Sequence, residues 1–397
     1  MSSSTRPASA LGRGTLFAMA LVAGLAVASI YYNQPMLGVM SSSLHDVRVS
    51  GWIPTLTQLG YAAGLLFLLP IGDMLERRRL IVVQFGILAL ALVVMALAPG
   101  LAVLAVASVL VGAAATVAQQ IVPFAAILSA PEKRGAAIGT VMSGLLTGIL
   151  LSRTLAGIVS SVAGWRVMFW VAVPLALLGA LLMARSLPAH YPARKLRYGD
   201  LLNSLIHLWR NEPVLRRAAA TQALLFASFS AFWTTLALRL AEPPLNLGAA
   251  SAGLFGIVGA VGVAMAPVAG RMADRRGPAP VIALGAAATV LAWLVFGLWQ
   301  SLAGLVVGVI VLDFGVQIAL VSNQHLIYGL HPEYKSRLNT LFMTTMFVGG
   351  ALGSSLAAAA WHHGGWPVVC VLGGILPIGA LVLSLVRRPA TEPQRAQ

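Results

Sequence analysis

Apolar runs recur along almost the whole chain, and each is long enough to cross a lipid bilayer. A hydrocarbon core of ~30 Å takes about 20 helical residues. Runs of that kind fall at 14–37, 50–71, 80–98, 101–127, 136–161, 165–186, 214–239, 249–270, 279–298, 302–327, 338–361 and 366–386. Connections such as Pro99-Gly100 and Gln300-Ser301 are so short that neighbouring spans must be antiparallel. The spans predict an all-α membrane protein with twelve transmembrane helices and little else. Charged residues are only 9% of the 397, against about a quarter in soluble proteins, so a soluble enzyme is excluded. The first run follows Arg6 and Arg13 and contains Ala26-Val27-Ala28, the ingredients of a cleaved signal peptide. Its removal would leave an odd number of spans, so the run is read as the first span.

Charge sets the orientation. With the N-terminus inside, 22 of the 26 Lys and Arg residues fall in inner loops and ends. Arg48, Arg166 and Arg239 fall outside and Arg153 lies within a span. This bias follows the positive-inside rule and puts both termini in the cytoplasm. It also accounts for the net charge of +15 without nucleic acid as a partner. The partners expected are the lipid bilayer, protons and a small-molecule substrate, with the chain acting as a monomer. Cys370 is the only cysteine, which excludes an intramolecular disulfide and a Cys-rich metal site. His362 and His363 have no Cys, Asp or Glu close by in sequence, so no metal is assigned to them. There is no G-x-x-x-x-G-K-[ST] loop. The loops are too short for a catalytic domain, so neither a cofactor nor enzymatic activity is expected.

Shifted by 201 residues, the chain lies on itself without gaps. Asp73 falls on Asp274, Pro131-Glu132 on Pro332-Glu333, Gly148 on Gly349, Gly164-Trp165 on Gly365-Trp366, and Pro188 on Pro389. Reuse of capping residues at helix ends would not hold one offset over so long a stretch. The chain therefore divides into an N-terminal six-helix half (1–187), a cytoplasmic linker (188–213) and a C-terminal six-helix half (214–397). Parallel repeats related by an axis along the membrane normal are a transporter architecture, with the substrate between the halves near mid-membrane.

Two loops carry a family resemblance. Gly270-Arg271-Met272-Ala273-Asp274-Arg275-Arg276-Gly277 resembles the G-x-L-A-D-R-x-G signature of the major facilitator superfamily. Gly72-Asp73-Met74-Leu75-Glu76-Arg77-Arg78-Arg79 resembles it with two departures, Met74 for Arg and Glu76 for Gly. The resemblance implies the fold of that superfamily and gating roles for Asp73, Arg77, Arg78, Asp274 and Arg275. An Asp at a helix end can take the N-terminus of a neighbouring helix as its partner. Tyr31-Tyr32-Asn33-Gln34-Pro35, Arg153 with Gly164-Trp165-Arg166, and the stretch from Asp313 to Gln324 are similar to the drug and metabolite:proton antiporter branch. That likeness implies efflux across a bacterial inner membrane. One departure bears on antiport: the region Gly144 to Arg153 has glycines but lacks the Gly-Pro step usual in span 5 of superfamily antiporters.

Ionisable residues inside a span are costly and mark function by default. Asp313 and Arg153 both sit roughly 14–17 Å below the outer surface, at 1.5 Å per residue. The superfamily arrangement makes a cross-half ion pair between them possible. An unpaired carboxylate at that depth takes a proton rather than stay charged, which is what proton coupling needs. The polar residues Asn33, Gln34, Gln58, Gln119, Gln120, Gln222, Gln317, Asn323 and Gln324, with Tyr31, Phe232 and Trp233, are candidates for the substrate cavity. A cavity of amides and aromatics suits amphipathic or weakly charged solutes. Each amide has an alternative role as a hydrogen bond between helices. The leading expectation is a proton-coupled exporter of drugs or small metabolites. A proton-coupled nutrient importer of the same fold, and a non-transporting sensor on that scaffold, are the alternatives.

Overall fold

The computed structural model describes residues 12–191, 197–264, 266–331 and 334–386. The charged ends 1–11 and 387–397, the middle of the linker and Pro332-Glu333 lie outside the described residues. Every described element is helical. Nine described helices are long and apolar enough to cross a bilayer, and Arg13–Ala28 and Ala249–Gly259 are shorter apolar helices. One of the nine, Lys335–Leu385, leaves helical geometry at Gly364 and Gly365 and so counts as two spans. The twelve spans of the sequence are all present. Large apolar side chains such as Phe17, Leu90, Val106 and Leu298 face outward at 61–85% exposure, as lipid-facing residues must.

In chain order, span 1 is α1 (Arg13–Ala28) followed by α2 (Leu37–Leu44). Span 2 is α3 (Val49–Ala63), prolonged by a wide turn at Gly64–Leu68 and a 3₁₀ turn at Leu69–Asp73. Spans 3 to 6 are α4 (Arg77–Leu97), α5 (Leu101–Ala115) with α6 (Val117–Leu128), α7 (Arg134–Ala163) and α8 (Trp165–Ser186). The linker carries α9 (Tyr198–Asn211). Spans 7 to 10 are α10 (Pro213–Ala241), α11 (Ala249–Ala264) with α12 (Ala266–Arg276), α13 (Pro278–Leu298) and α14 (Leu302–Tyr328). The two limbs of α15 (Lys335–Leu385) are spans 11 and 12.

Span 1 differs from the single run read at 14–37. The helix ends at Ala28, and Ser29, Ile30 and Tyr31 donate their backbone N–H groups only three residues back. A 3₁₀ turn at Gln34–Met36 with Pro35 follows. Proline has no N–H to continue the α-helical ladder, so the chain tightens here before resuming as α2.

Small residues set the packing. Gly24 of α1 meets the backbone of Gly144 and Gly148 on α7, and Gly349 and Gly353 of α15 meet Ala223 and Ala227 on α10. These are the same contact in the two halves, since Gly349 is the counterpart of Gly148 at the 201-residue offset. Close backbone approach through small residues is how membrane helices associate.

The seam between the halves repeats itself in the same way. Thr55 on α3 donates to the Ala351 carbonyl at 3.3 Å. Its counterpart Gly256, on α11, lies where an added Cβ would stand 2.9 Å from the Leu150 carbonyl of α7. Gln58 on α3 bonds Ser354 on α15 at 2.9 Å. The counterparts of that pair are Gly259 and Arg153. The seam thus has two arms related by the internal repeat, span 2 on span 11 and span 8 on span 5. Both close the end of the bundle opposite the arginine-rich loops.

Candidate functional site

Arg153 emerges from the middle of α7 into this seam and is 2% exposed. Its Nε donates to the Gln34 side-chain oxygen at 2.8 Å. The broken first span makes that possible by turning Gln34 inward. The guanidinium lies over three rings, with Cζ 4.0 Å from the Trp233 centroid, 4.7 Å from Tyr31 and 6.0 Å from Phe229. Cation–π contacts of this length are worth up to about 2 kcal/mol when desolvated. Its Nη2 is buried and has no hydrogen-bond partner.

Asp313, on α14, is 8% exposed. Its Oδ2 packs on the bare Cα of Gly259, where a Cβ would overlap it, and Trp233 borders the same spot. Its Oδ1 is buried without a partner, and the Trp233 indole N–H lies near the carboxylate but outside hydrogen-bond geometry. The expected ion pair between Asp313 and Arg153 is not formed. The five ion pairs among the described residues include neither of them. Trp233 and Gln34 take the guanidinium instead. The two charges remain close enough to feel each other electrostatically, without touching.

The structure gathers five of the sequence candidates around this point: Tyr31, Gln34, Arg153, Trp233 and Asp313. The other amides are spread along the bundle and mostly paired. Gln58 bridges Ser354 and Ser230, and Ser354 also accepts from Thr234 at 3.0 Å. Asn33 donates to Thr57, Gln119 to Tyr61, and Gln120 to Gln84 at 2.7 Å within the first half. Asn323 donates to Gln222 within the second. Gln324 reaches Asn339 only at 3.5 Å, and Gln317 is half-buried. Phe232 is a core ring stacked on Phe296 at 4.5 Å.

The gating candidates sit at the basic end. Asp73 accepts from Arg77 at 2.9 Å rather than from a helix N-terminus, and Arg77 also lies over the Phe124 ring. Asp274 faces His325 at 3.7 Å. Arg78 donates to the Leu187 carbonyl. A crevice lined by Asp73, Arg77, Gln120 and Ser336 lies between the first loop and the start of α15. The amphipathic α9 crosses this end. It buries Leu201, Leu205 and Leu208, and its Tyr198 hydroxyl donates to the Phe67 carbonyl of the first half. Arg275 makes no side-chain hydrogen bond or ion pair among the described residues, and Arg271 is likewise without one.

Sequence reasoning missed Phe229, Gly259, Ser230, Ser354 and Gln84. Gln84 was readable as the one amide in an apolar run. Gly259 was not, because its meaning is the carboxylate that lies against it.

Comparison with known proteins places this geometry. Residues 19–354 match the family described as Major Facilitator Superfamily, and residues 218–397 match it again. A protein of Escherichia coli O157:H7 described as uncharacterized transporter YgaY is 42% identical over 383 residues, covering 96% of this chain and 97% of its own. Among solved structures, a point mutant of the nucleoside transporter NupG aligns with a TM-score of 0.73 at 14% identity, over 92% of this chain and 98% of its own. The human organic anion transporter MFSD10 aligns with a TM-score of 0.70 at 17% identity, over 96% and 100%.

Proposed function

The chain belongs to the Major Facilitator Superfamily and is a transporter of that type, and from that premise we propose that it exports drugs or small amphipathic metabolites, coupled to protons through Asp313. The basic end faces the cytoplasm of a bacterium, in whose inner membrane the chain works as a monomer of two six-helix halves joined by the linker 188–213. Solute binds in the seam, and the halves rock about it to expose it to one side and then the other.

One observation carries the reading. Asp313 is a carboxyl buried in the seam, with one oxygen unpartnered and no ion pair. Burying a charge without a partner is expensive, so this group moves between charged and neutral as its surroundings change. Its protonation alters the balance of charge against Arg153, and that change biases the two positions of the halves. The sign of the coupling follows from the solute. A cation competes with the proton and exchanges for it, whereas an anion binds best after protonation and travels with it.

The test is a solute screen in proteoliposomes with an imposed pH gradient, read by a trapped pH-sensitive dye and by solute content. Asp313→Asn should abolish gradient-driven accumulation while retaining passive exchange. Uphill transport by Asp313→Asn with an unchanged pH dependence would remove Asp313 from the mechanism.

A further inference from the structure

Arg153 carries more than its position in the seam requires. At the repeat-related position on the other arm stands Ser354, a neutral hydroxyl satisfied by Gln58 and Thr234. Packing at this point therefore needs no charge. The guanidinium is buried, uses Nε on Gln34, and leaves Nη2 without an acceptor. A buried charged donor left unmade is costly, and the group best able to satisfy it is an anion.

We propose that Arg153 recognises an organic monocarboxylate with a flat apolar body, a claim that rests on the reading of the seam as the solute path. The carboxylate takes the free guanidinium N–H as the basic end opens. Tyr31, Phe229 and Trp233 supply the faces on which the apolar body lies. A phosphate ester fits less well, since one guanidinium with its Nε already engaged cannot offer the paired donors that a dianion calls for.

The neighbouring carboxyl then fixes the direction of coupling. With Asp313 neutral, Arg153 and Asp313 together carry one positive charge; with Asp313 ionised they carry none. The proton raises affinity for the anion, and by linkage the anion raises affinity for the proton by the same factor. Both bind to the same state and move the same way, so the cargo crosses as the whole acid, no net charge moves, and export proceeds where the outward gradient of the anion exceeds the inward gradient of the proton. A cationic solute would meet Arg153 directly.

The test uses the purified full chain in detergent, with 2-naphthoate and its neutral isostere 2-naphthamide as probes. Their affinities are read from the rise in unfolding midpoint with ligand concentration. At pH 6 the naphthoate is ionised, as a carboxyl with an ordinary value of about 4 must be. Naphthoate should raise the midpoint and naphthamide should not. Arg153→Gln should weaken naphthoate binding by about tenfold or more, the loss expected for one charge-assisted hydrogen bond. Arg153→Lys should keep the preference for naphthoate at reduced affinity, and it serves where Arg153→Gln does not fold. In proteoliposomes naphthoate flux should carry protons in its own direction. Equal stabilisation by both probes, or none by naphthoate, overturns the proposal. Naphthoate selectivity that persists with no proton movement would sink the proton reading alone.

Discussion

A single hydrogen atom at position 259 decides how closely span 8 approaches Asp313. A methyl group there would overlap Oδ2 of a side chain too short and too buried to swing away. Gly259→Ala should lower stability by about 1–3 kcal/mol, the usual cost of overpacking, and should shift the pH dependence of transport. Gly86→Ala, where an added Cβ meets nothing within 4 Å, should do neither. Unfolding midpoints and pH–rate profiles of the two variants would decide; equal behaviour would mean that the carboxyl is not confined by its neighbour. Arg153 and Asp313 were legible in the sequence because a charge within an apolar run has few bland explanations. Their failure to pair was not legible. It depends on which rings and amides other spans bring to the guanidinium, and nothing local to Arg153 announces Trp233 or Gln34. The amides divide for the same reason. Gln120 and Gln222 read as cavity groups, yet each finds a partner on a neighbouring span.

At the scale of elements, Glu76 repairs a gap in the first loop signature. Where the signature has glycine, Glu76 caps α4, accepting from the N–H groups of Arg78 at 2.9 Å and Arg79 at 3.0 Å. Its carboxylate also suits the positive end of the helix. The same loop is tied to the start of the linker, since the Arg77 N–H donates to the His190 carbonyl. Glu76→Ala should cost about 1 kcal/mol, as loss of an N-cap does, and Glu76→Asp should recover part of it. Thermal unfolding measures this, and an unchanged midpoint in Glu76→Ala would show the cap to be idle. The repeated Gly-Trp step was better signalled. Gly164 (φ 86°) and Gly365 (φ 63°) both adopt the left-handed region that favours glycine, so a match seen in sequence marks a shared backbone need. The break in span 1 falls at the polar step Tyr31-Tyr32-Asn33-Gln34-Pro35, which a single run drawn over 14–37 averages away.

For the whole molecule, the repeat of 201 residues predicted two like halves but not how they meet. The seam shows two arms built on one plan, with a neutral amide–hydroxyl bridge in one and, at the matching positions of the other, Gly259 and Arg153, with Asp313 of span 10 lying against Gly259. On the proposed mechanism, this divergence leaves one arm to hold and the other to respond. The holding arm can be tested directly. An added Cβ at Gly51 would stand 2.7 Å from the Ala358 Cβ, close enough for a disulfide after a small outward shift. In a Cys370→Ser background, Gly51→Cys with Ala358→Cys should crosslink on oxidation, stop transport, and recover on reduction. Membrane-impermeant thiol reagents should reach the pair only from outside the cell. Unimpaired transport after complete crosslinking would mean that this end need not open. Labelling from the cytoplasmic side alone would reverse the orientation.

The responsive arm is sealed by bare backbone. At Gly157 an added Cβ would stand 2.5 Å from the Ala249 carbonyl, and at Gly253 it would stand 2.6 Å from that of Arg153. Contact this close leaves no room for water between α7 and α11 at those two points. A carrier with a proton site at its centre is one leak away from short-circuiting the ion gradient across the membrane. On the role proposed for Asp313, those two glycines supply insulation as well as helix packing, and a bulkier residue at either should burden the cell with lost membrane potential even where the solute is still carried.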